Sequence, residues 1–303
     1  MLKRSVILAL VLSGPGFVFS MAFAWAQFFP DRSPPKYALT DFGLNPENLM
    51  MASADGVTTP GWYIEPPDSP APGIVLVHGY AGRRERMLEL AKFLQGQGYG
   101  VILMDLRGHG TAGSGMVTFG IREADDVRPY LRYLQERPEH KDQPTGIMGC
   151  SLGAVTALRL ASLETSITAV VADSPFDSLS GQTWLTVERH APGFLVPYFW
   201  VHAILIGTLM TGHLPGEWEV GEWIERIAPR PILLLHGAED SRIPADASRR
   251  LVANASYPIE SWFAPGAEHL DAMDHLEGEY GSRVSDFFAR HLKKQIGDPP
   301  RSS

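Results

Sequence analysis

One short stretch constrains the fold of this chain more than any other: residues 149–153, with the sequence Gly-Cys-Ser-Leu-Gly. It follows the apolar run 145–148 and precedes residues 154–161, which are mostly good helix formers. This order is typical of a buried strand, a sharp turn and a buried helix. Glycines two positions before and two positions after the serine let strand and helix approach without a Cβ clash. The pattern predicts that Ser151 lies in a strained turn and exposes its hydroxyl at the carboxyl end of a sheet.

The remaining apolar runs predict an α/β chain built on a mostly parallel sheet. They are short and continuous, as is typical of strands buried on both faces, and helical patterns separate them. The runs lie at 73–77, 100–104, 145–148, 231–235 and 259–263, and the helices near 83–97, 122–137, 152–163, 244–254 and 271–292. Residues 49–64 instead predict two antiparallel edge strands that turn at Asp55-Gly56. Right-handed crossovers would place the carboxyl ends of the parallel strands on one edge.

Further motifs at the ends of these runs make the chain resemble the α/β-hydrolase superfamily. Residues 78–82, His-Gly-Tyr-Ala-Gly, look like its HGxxG oxyanion loop, and residues 105–110, Asp-Leu-Arg-Gly-His-Gly, are similar to the segment after its next strand. Residues 236–240 and 266–269 end in an aspartate and a histidine, so the chain order is Ser, Asp, His, as in that superfamily. The resemblance implies an α/β-hydrolase fold, with a doubly wound sheet, helices on both faces and an apolar helical cap after the sixth strand.

The same resemblance implies a role for each motif residue. Ser151 would be the nucleophile, His269 the base that takes its proton, and Asp240 the acid that orients the imidazole. The oxyanion would be held by the backbone N–H groups of Tyr80 and Leu152. Four further residues would support the motifs without taking part in the chemistry, with the ring of the histidine tied to neighbouring backbone: His78, Gly79, Gly149 and Gly153.

Other residues compete for these roles. Glu239, beside Asp240, and Asp173, after the sixth strand, are the alternative acids. His275 is a weaker candidate for the base because the pattern places it in the final helix. Cys150 adjoins the nucleophile, but only the central residue of such a turn points outward, so we expect the thiol to face sideways or into the core.

Composition excludes several classes of function. The net charge is −8, and no basic tract follows the first residues, so nucleic acid is not an expected partner. A single cysteine excludes an internal disulfide and a multi-cysteine metal site. Motifs for metal, nucleotide or redox cofactors are absent, and no cofactor is expected. We expect a hydrolase domain at 48–293, with the cap at about 176–226, and a disordered tail at 294–303.

Residues 1–30 differ in character from the rest of the chain. After Lys3 and Arg4 no charged residue occurs until Asp31, and residues 5–29 are long enough to cross a bilayer. They predict either a membrane anchor or a signal peptide, for which residues 24–26, Ala-Trp-Ala, offer a cleavage site. Either alternative exports the catalytic domain, anchored or secreted to the periplasm or beyond. Residues 31–47 form a proline-bearing linker.

The segment predicted as a cap is itself strongly apolar. It has no Asp, Glu, Lys or Arg from 191 to 216, and residues 194–210 are long enough for a second span. A single crossing there would separate Asp240 and His269 from Ser151, so we expect a cap that could also touch the membrane. Such a cap implies an apolar substrate pocket, a face on lipid or an oligomer contact.

Together these features predict a serine hydrolase of carboxylic esters, with lipid-like or acyl substrates favoured by the cap. A serine peptidase or aminopeptidase acting on short peptides shares the motifs and is the alternative. A hydrolase-shaped binding protein without activity is a further alternative. The sequence leaves the oligomeric state open.

Overall fold

A computed structural model describes residues 14–32 and 39–293 of the chain. Within them the strands are β1 Glu47–Ala52, β2 Thr58–Ile64, β3 Gly73–Val77, β4 Gly100–Met104, β5 Thr145–Cys150, β6 Ile167–Asp173, β7 Ile232–Gly237 and β8 Glu260–Ala264. The helices are α1 Pro15–Phe28, α2 Leu88–Gly96, α3 Ile121–Glu136, α4 Leu152–Leu163, α5 Leu179–Glu188, α6 Val196–Thr211, α7 Val220–Ile227, α8 Asp246–Asn254 and α9 Glu279–Leu292.

The strands form one sheet in the order β1-β2-β4-β3-β5-β6-β7-β8. Neighbours from β4 to β8 pair in parallel, whereas β2 pairs antiparallel with both β1 and β4. The predicted mostly parallel sheet is therefore confirmed. The prediction that β1 and β2 are both edge strands is wrong for β2, because β4 covers its second side. The chain turns between them at Gly56, whose φ of +82° suits glycine.

Helices cover both faces of the sheet. Val75 and Ile147 face a core shared with α3, α4 and α7, while Ile74 and Met148 face a second core shared with α2 and α9. Strand residues buried on both faces explain the continuous apolar runs, since neither side of the strand meets water. This doubly wound arrangement places the carboxyl ends of the parallel strands together on one edge.

An apolar helical cap follows β6, as predicted. Helices α5 and α6 pack against each other, whereas α7 packs against α4 of the core layer. By length and composition, residues 193–211 could cross a membrane, with a mean hydropathy of 1.6 and only 17% of the most apolar stretch buried. In the structure this segment is chiefly α6, which packs against α1 and α5.

The apolar N-terminal segment is partly visible. Residues 1–13 lie outside the described residues, as do positions 33–38 of the predicted linker and the predicted tail 294–303. Residues 14–32 contain α1, which packs along α6. The second half of the predicted leader therefore contacts the cap directly.

The last helix begins later than the sequence indicates. Instead of a helix over 271–292, the chain forms a single 3₁₀ turn at Asp271–Asp274, and α9 begins at Glu279. His275 ends that turn and does not lie in the helix as predicted. The reason is local: His275, at φ −118° and ψ +54°, and Gly278, at φ −98° and ψ −155°, both leave the helical region, so the chain cannot form one continuous helix over 271–292.

Candidate active site

The turn between β5 and α4 has the predicted strained geometry. Ser151 adopts φ +52°, a conformation that residues other than glycine rarely adopt. A Cβ on Gly149 would lie 2.0 Å from the carbonyl oxygen of Gly153, and one on Gly153 would lie 2.2 Å from that of Val77. Only glycine fits at these two positions, because the strand, the turn and the helix touch through backbone atoms.

The structure brings three predicted site residues together at the carboxyl edge of the sheet. His269 Nε2 lies 3.1 Å from Ser151 Oγ, and His269 Nδ1 lies 2.6 Å from Asp240 Oδ2. In the sequence His269 is separated from these two partners by 118 and 29 residues. The geometry allows the imidazole to accept the proton of Ser151 while Asp240 holds the opposite ring nitrogen protonated.

Asp240 is held from several directions. Its Oδ1 accepts the backbone N–H groups of Arg242 and Ile243, each at 2.8 Å. Burial raises the pKa of Asp240, but hydrogen bonds from His236, His269 and the Ile243 amide outweigh burial and leave that pKa well below its usual range. The carboxylate therefore stays ionised beside the imidazole.

His236 is a member of this site that the sequence analysis did not single out. Its Nε2 donates to the carbonyl of Ile243 at 2.8 Å and lies 3.3 Å from Asp240 Oδ2, while its Nδ1 lies 2.7 Å from Ser248 Oγ. The sequence signal was a histidine at the end of β7, four residues before the acid. Its role depends on the loop after β7, which folds back over the ring and places Asp240 and Ile243 against Nε2.

The alternative acids lie elsewhere. Asp173 accepts the hydroxyl of Tyr280 at 2.7 Å and that of Ser174 at 2.9 Å, and its backbone carbonyl accepts the N–H of Ser151 at 2.8 Å. Burial raises the pKa of Asp173, in contrast to that of Asp240. Glu239 is exposed. Asp173 thus supports the turn that carries Ser151, and the imidazole of His269 donates its hydrogen bond to Asp240.

The loop after β3 approaches the nucleophile closely. A Cβ on Gly79 would lie 3.3 Å from the Cβ of Ser151. His78 fixes this loop, since its Nδ1 lies 2.7 Å from the carbonyl of Gly79 and its Nε2 accepts the N–H of Leu106 at 3.0 Å. Burial lowers the pKa of His78 to about 4, so the ring is neutral at pH 7. Leu152 is the first residue of α4, where a backbone N–H has no partner within the helix, and no acceptor for the Tyr80 N–H occurs among the described residues, so both are available as donors.

Cys150 points into the core. Its Sγ lies 3.8 Å from the Val77 carbonyl and 3.8 Å from the Met87 sulfur. Burial raises the pKa of the Cys150 thiol to about 12. A thiol with so high a pKa is not ionised at neutral pH and is a poor nucleophile.

A cavity of about 300 Å³ adjoins these groups. His269, Tyr80 and Met273 line it together with two basic residues, Arg86 and Arg242. Neither guanidinium forms an ion pair with any residue of the described part of the chain. The residues that line this cavity include no carboxylic acid. Across residues 14–32 and 39–293, no group of three histidine, cysteine, aspartate or glutamate side chains is placed to hold a metal ion.

Comparison with known proteins gives a consistent result. Residues 68–217 match the family model described as serine aminopeptidase, S33. The chain is 31% identical over 278 residues to an uncharacterised protein of Mycobacterium tuberculosis, an alignment that covers 88% of this chain and 86% of the relative. It is 25% identical over 242 residues to the esterase YjfP of Escherichia coli, covering 74% of this chain and 91% of that protein.

A similar solved structure is an esterase, Pf2001 of Pyrococcus furiosus. It superposes with a TM-score of 0.72 and 25% identity over 88% of this chain and 98% of the esterase chain. The similarity therefore extends over nearly the whole of that protein.

Proposed function

The chain belongs to the α/β-hydrolase superfamily, and from that membership we propose that it is a serine hydrolase of carboxylic esters. The observation that carries the proposal is the continuous hydrogen-bonded row from Ser151 through His269 to Asp240, at 3.1 and 2.6 Å. A merely structural histidine would not need a strained serine turn on one side and a buried, ionised carboxylate on the other.

The proposed reaction proceeds in two halves. Ser151 Oγ attacks the substrate carbonyl carbon as its proton passes to His269 Nε2, and the oxyanion accepts the N–H groups of Tyr80 and Leu152. The tetrahedral adduct then breaks its bond to the leaving oxygen, which takes the proton from His269. Water, activated by the same imidazole, attacks the acyl group on Ser151 and releases the carboxylic acid.

The cap supports an apolar acyl group. Between α1, α5 and α6 lies a second cavity, of about 90 Å³, whose lining includes Phe28, Phe119 and Trp218. Such surroundings favour the burial of an alkyl chain, away from water, and offer no partner to a charged group. We therefore place acyl esters, including those of lipids, first among the substrates.

A serine peptidase is the second candidate, because the matching family is described as an aminopeptidase family. An aminopeptidase must accommodate the ammonium group of a free amino terminus. In the catalytic cavity that group would meet Arg86 and Arg242, and the residues that line the cavity include no carboxylate to balance it. Any peptide substrate would therefore have a blocked amino terminus.

The experiment that tests this proposal compares substrates on one preparation of the full chain in detergent. Labelling of Ser151 by a fluorophosphonate, absent in Ser151→Ala, tests for an active serine hydrolase. Relative kcat/KM values for p-nitrophenyl butyrate, an N-acetylaminoacyl amide and a free aminoacyl amide then rank the substrate classes. A higher kcat/KM for the free aminoacyl amide than for the ester would reject the ester proposal, and an unlabelled wild-type serine would indicate a binding protein.

We also propose that residues 5–29 hold the enzyme at the surface of a membrane, with α1 still packed on the exported catalytic domain. Support comes from large apolar side chains that α1 and α6 leave in contact with solvent: Val18, Phe19, Met21, Trp25, Val201, Leu205 and Leu209. Exposed apolar side chains on two helices that pack together are typical of membrane or partner contacts. Retention of the full chain in membranes washed at high salt and alkaline pH, with the domain accessible to external protease, would support this placement. A soluble, full-length chain would contradict it.

A further inference from the structure

Helix α1 is fastened to the hydrolase domain by specific contacts. The carbonyl of Phe28 accepts the N–H of Val117 at 2.9 Å, and Arg32 Nη1 donates to the carbonyl of Ala112 at 2.7 Å. Ala24 and Phe28 are buried, the latter with its ring centroid 5.8 Å from that of Phe119. Lipid could cover an apolar helix equally well, but it could not replace these directed hydrogen bonds. The helix therefore forms part of the folded domain.

One of these contacts reaches the proposed oxyanion loop. The hydroxyl of Tyr80 donates to the carbonyls of Ala26 and Gln27, at 3.2 and 3.0 Å. These carbonyls lie in the last turn of α1, where helix carbonyls have no partner within the helix. The residue proposed to supply an oxyanion N–H thus has its side chain tied to the end of the N-terminal helix.

The cavity beneath the cap depends on the same helix. Phe23, Ala24, Gln27 and Phe28 of α1 form one wall, and the residues opposite belong mainly to α5 and α6, including Leu179, Thr183, Ala203, Ile204, Gly207 and Thr208. Its volume of about 90 Å³ equals the share of about three molecules in liquid water. The cavity is therefore wide enough for a few carbons of an alkyl chain, and its lining is mostly apolar.

A stacked pair of rings separates this cavity from the catalytic one. Phe119 lines the cap cavity and Tyr80 lines the catalytic cavity, with ring centroids 6.0 Å apart and planes inclined by 14°. Phe119 adopts φ +52°, an unusual conformation for a bulky residue. Strain of this kind is retained where the surroundings impose it, often at ligand sites. Here it directs the ring to the boundary between the two cavities.

We propose that the cap cavity binds the alkyl part of the acyl group and that α1 is a permanent wall of this site. This inference rests on the proposed ester hydrolysis. The acyl chain on Ser151 leaves the catalytic cavity beside Tyr80 and Phe119 and enters the space between α1 and α6. It follows that the segment is retained, because cleavage after Ala26 would separate the two carbonyls that Tyr80 binds and remove the wall.

The first test fills the cavity from α6. Gly207 faces α1, and a Cβ there would lie 3.4 Å from Phe28 Cζ, so a larger side chain occupies the space between the helices. Gly207→Leu also replaces glycine by a better helix former, which favours α6. The matched control is Leu209→Phe, which adds bulk on the exposed face of the same helix.

The expected result is a change in chain-length preference. For Gly207→Leu, kcat/KM for p-nitrophenyl hexanoate should fall roughly tenfold or more, since each excluded methylene costs about fourfold. For p-nitrophenyl acetate it should stay within about threefold, which also shows that the variant is folded. Leu209→Phe should change neither value by more than about threefold.

The outcomes separate this inference from the proposed function. Equal changes for acetate and hexanoate in Gly207→Leu, or no change in either, would overturn the acyl site while leaving the hydrolase intact. Failure of the wild type to cleave either ester would refute the proposed function itself. The second measurement is the intact mass of the chain purified from membranes: a mature chain that retains residues 14–26 supports the inference, and one that begins at Gln27 overturns it.

Discussion

Replacing Asp240 with asparagine should reduce kcat by about 10⁴ without unfolding the protein. Oδ1 of Asp240 accepts two backbone N–H groups, from Arg242 and Ile243 at 2.8 Å each, and Oδ2 faces His269 Nδ1 at 2.6 Å. An asparagine has a single acceptor oxygen, and the two backbone donors hold it at the Oδ1 position. Its NH₂ group must then take the place of Oδ2.

An amide NH₂ at the Oδ2 position reverses the direction of the hydrogen bond to His269. It donates to His269 Nδ1, so the single ring proton moves to Nε2, which then cannot accept the proton of Ser151. The negative charge that stabilises the imidazolium is lost as well. A factor of 10⁴ corresponds to about 5.4 kcal/mol of transition-state stabilisation at about 1.36 kcal/mol per tenfold change.

The assay is kcat for p-nitrophenyl butyrate, with the thermal unfolding midpoint measured on the same samples. The matched control is Asp173→Asn, whose partners are the hydroxyls of Tyr280 and Ser174, which can each rotate to accept from the new amide. We expect the control to keep kcat within about tenfold of the wild type. If Asp240→Asn kept its activity and Asp173→Asn lost it, the assignment of the acid would be refuted.

Three further predictions follow from the site. Ser151→Ala should lower kcat by about 10⁶, measured with p-nitrophenyl butyrate, and retained turnover would mean a different nucleophile. Cys150→Ala should leave kcat within about threefold, and iodoacetamide should not label the native thiol, because that thiol is buried and its pKa is raised to about 12. His78 has a folded-state pKa of about 4, below its ordinary value of 6.5, so its neutral form contributes stability above pH 6.5 that is lost as the pH falls through 4. Between pH 7 and pH 4.5 this group alone should remove about 2 to 3 kcal/mol from the free energy of unfolding, measured by urea denaturation; an equal loss in His78→Gln would contradict it.

Local patterns were sufficient to predict the sheet and its helices. Strands such as β3 are buried on both faces, so each residue is apolar and the run is visible without any knowledge of its neighbours. The end of a strand can also be predicted from the local sequence, because glycine and polar residues follow the apolar run. After His269 the pattern was misleading: the non-helical backbone of His275 and Gly278 interrupts the helix that residues 271–292 would otherwise favour.

The hydrogen-bond partners of the site residues were not predictable in the same way. His236 and Tyr280 lie in a strand and a helix whose patterns explain them as core residues, yet one lies against Asp240 and the other binds Asp173. For Tyr280, 107 residues from Asp173, nothing nearby in the chain indicates this partner. For His236 the only signal is that Asp240 follows four residues later. These contacts form only when the strand that carries His236 and the helix that carries Tyr280 pack in the folded domain.

The sequence by itself determined which chemical groups stand at the ends of the strands, because burial and turn geometry select residues locally. Only the tertiary structure decided which carboxylate meets the imidazole, since Asp240 and Asp173 both follow strands and differ only in what the folded loops place beside them. The same holds for α1. Covering an apolar segment with lipid or with protein gives a similar hydrophobic free energy. Which of the two covers it depends on whether the fold offers hydrogen-bond partners, here Tyr80 and Val117.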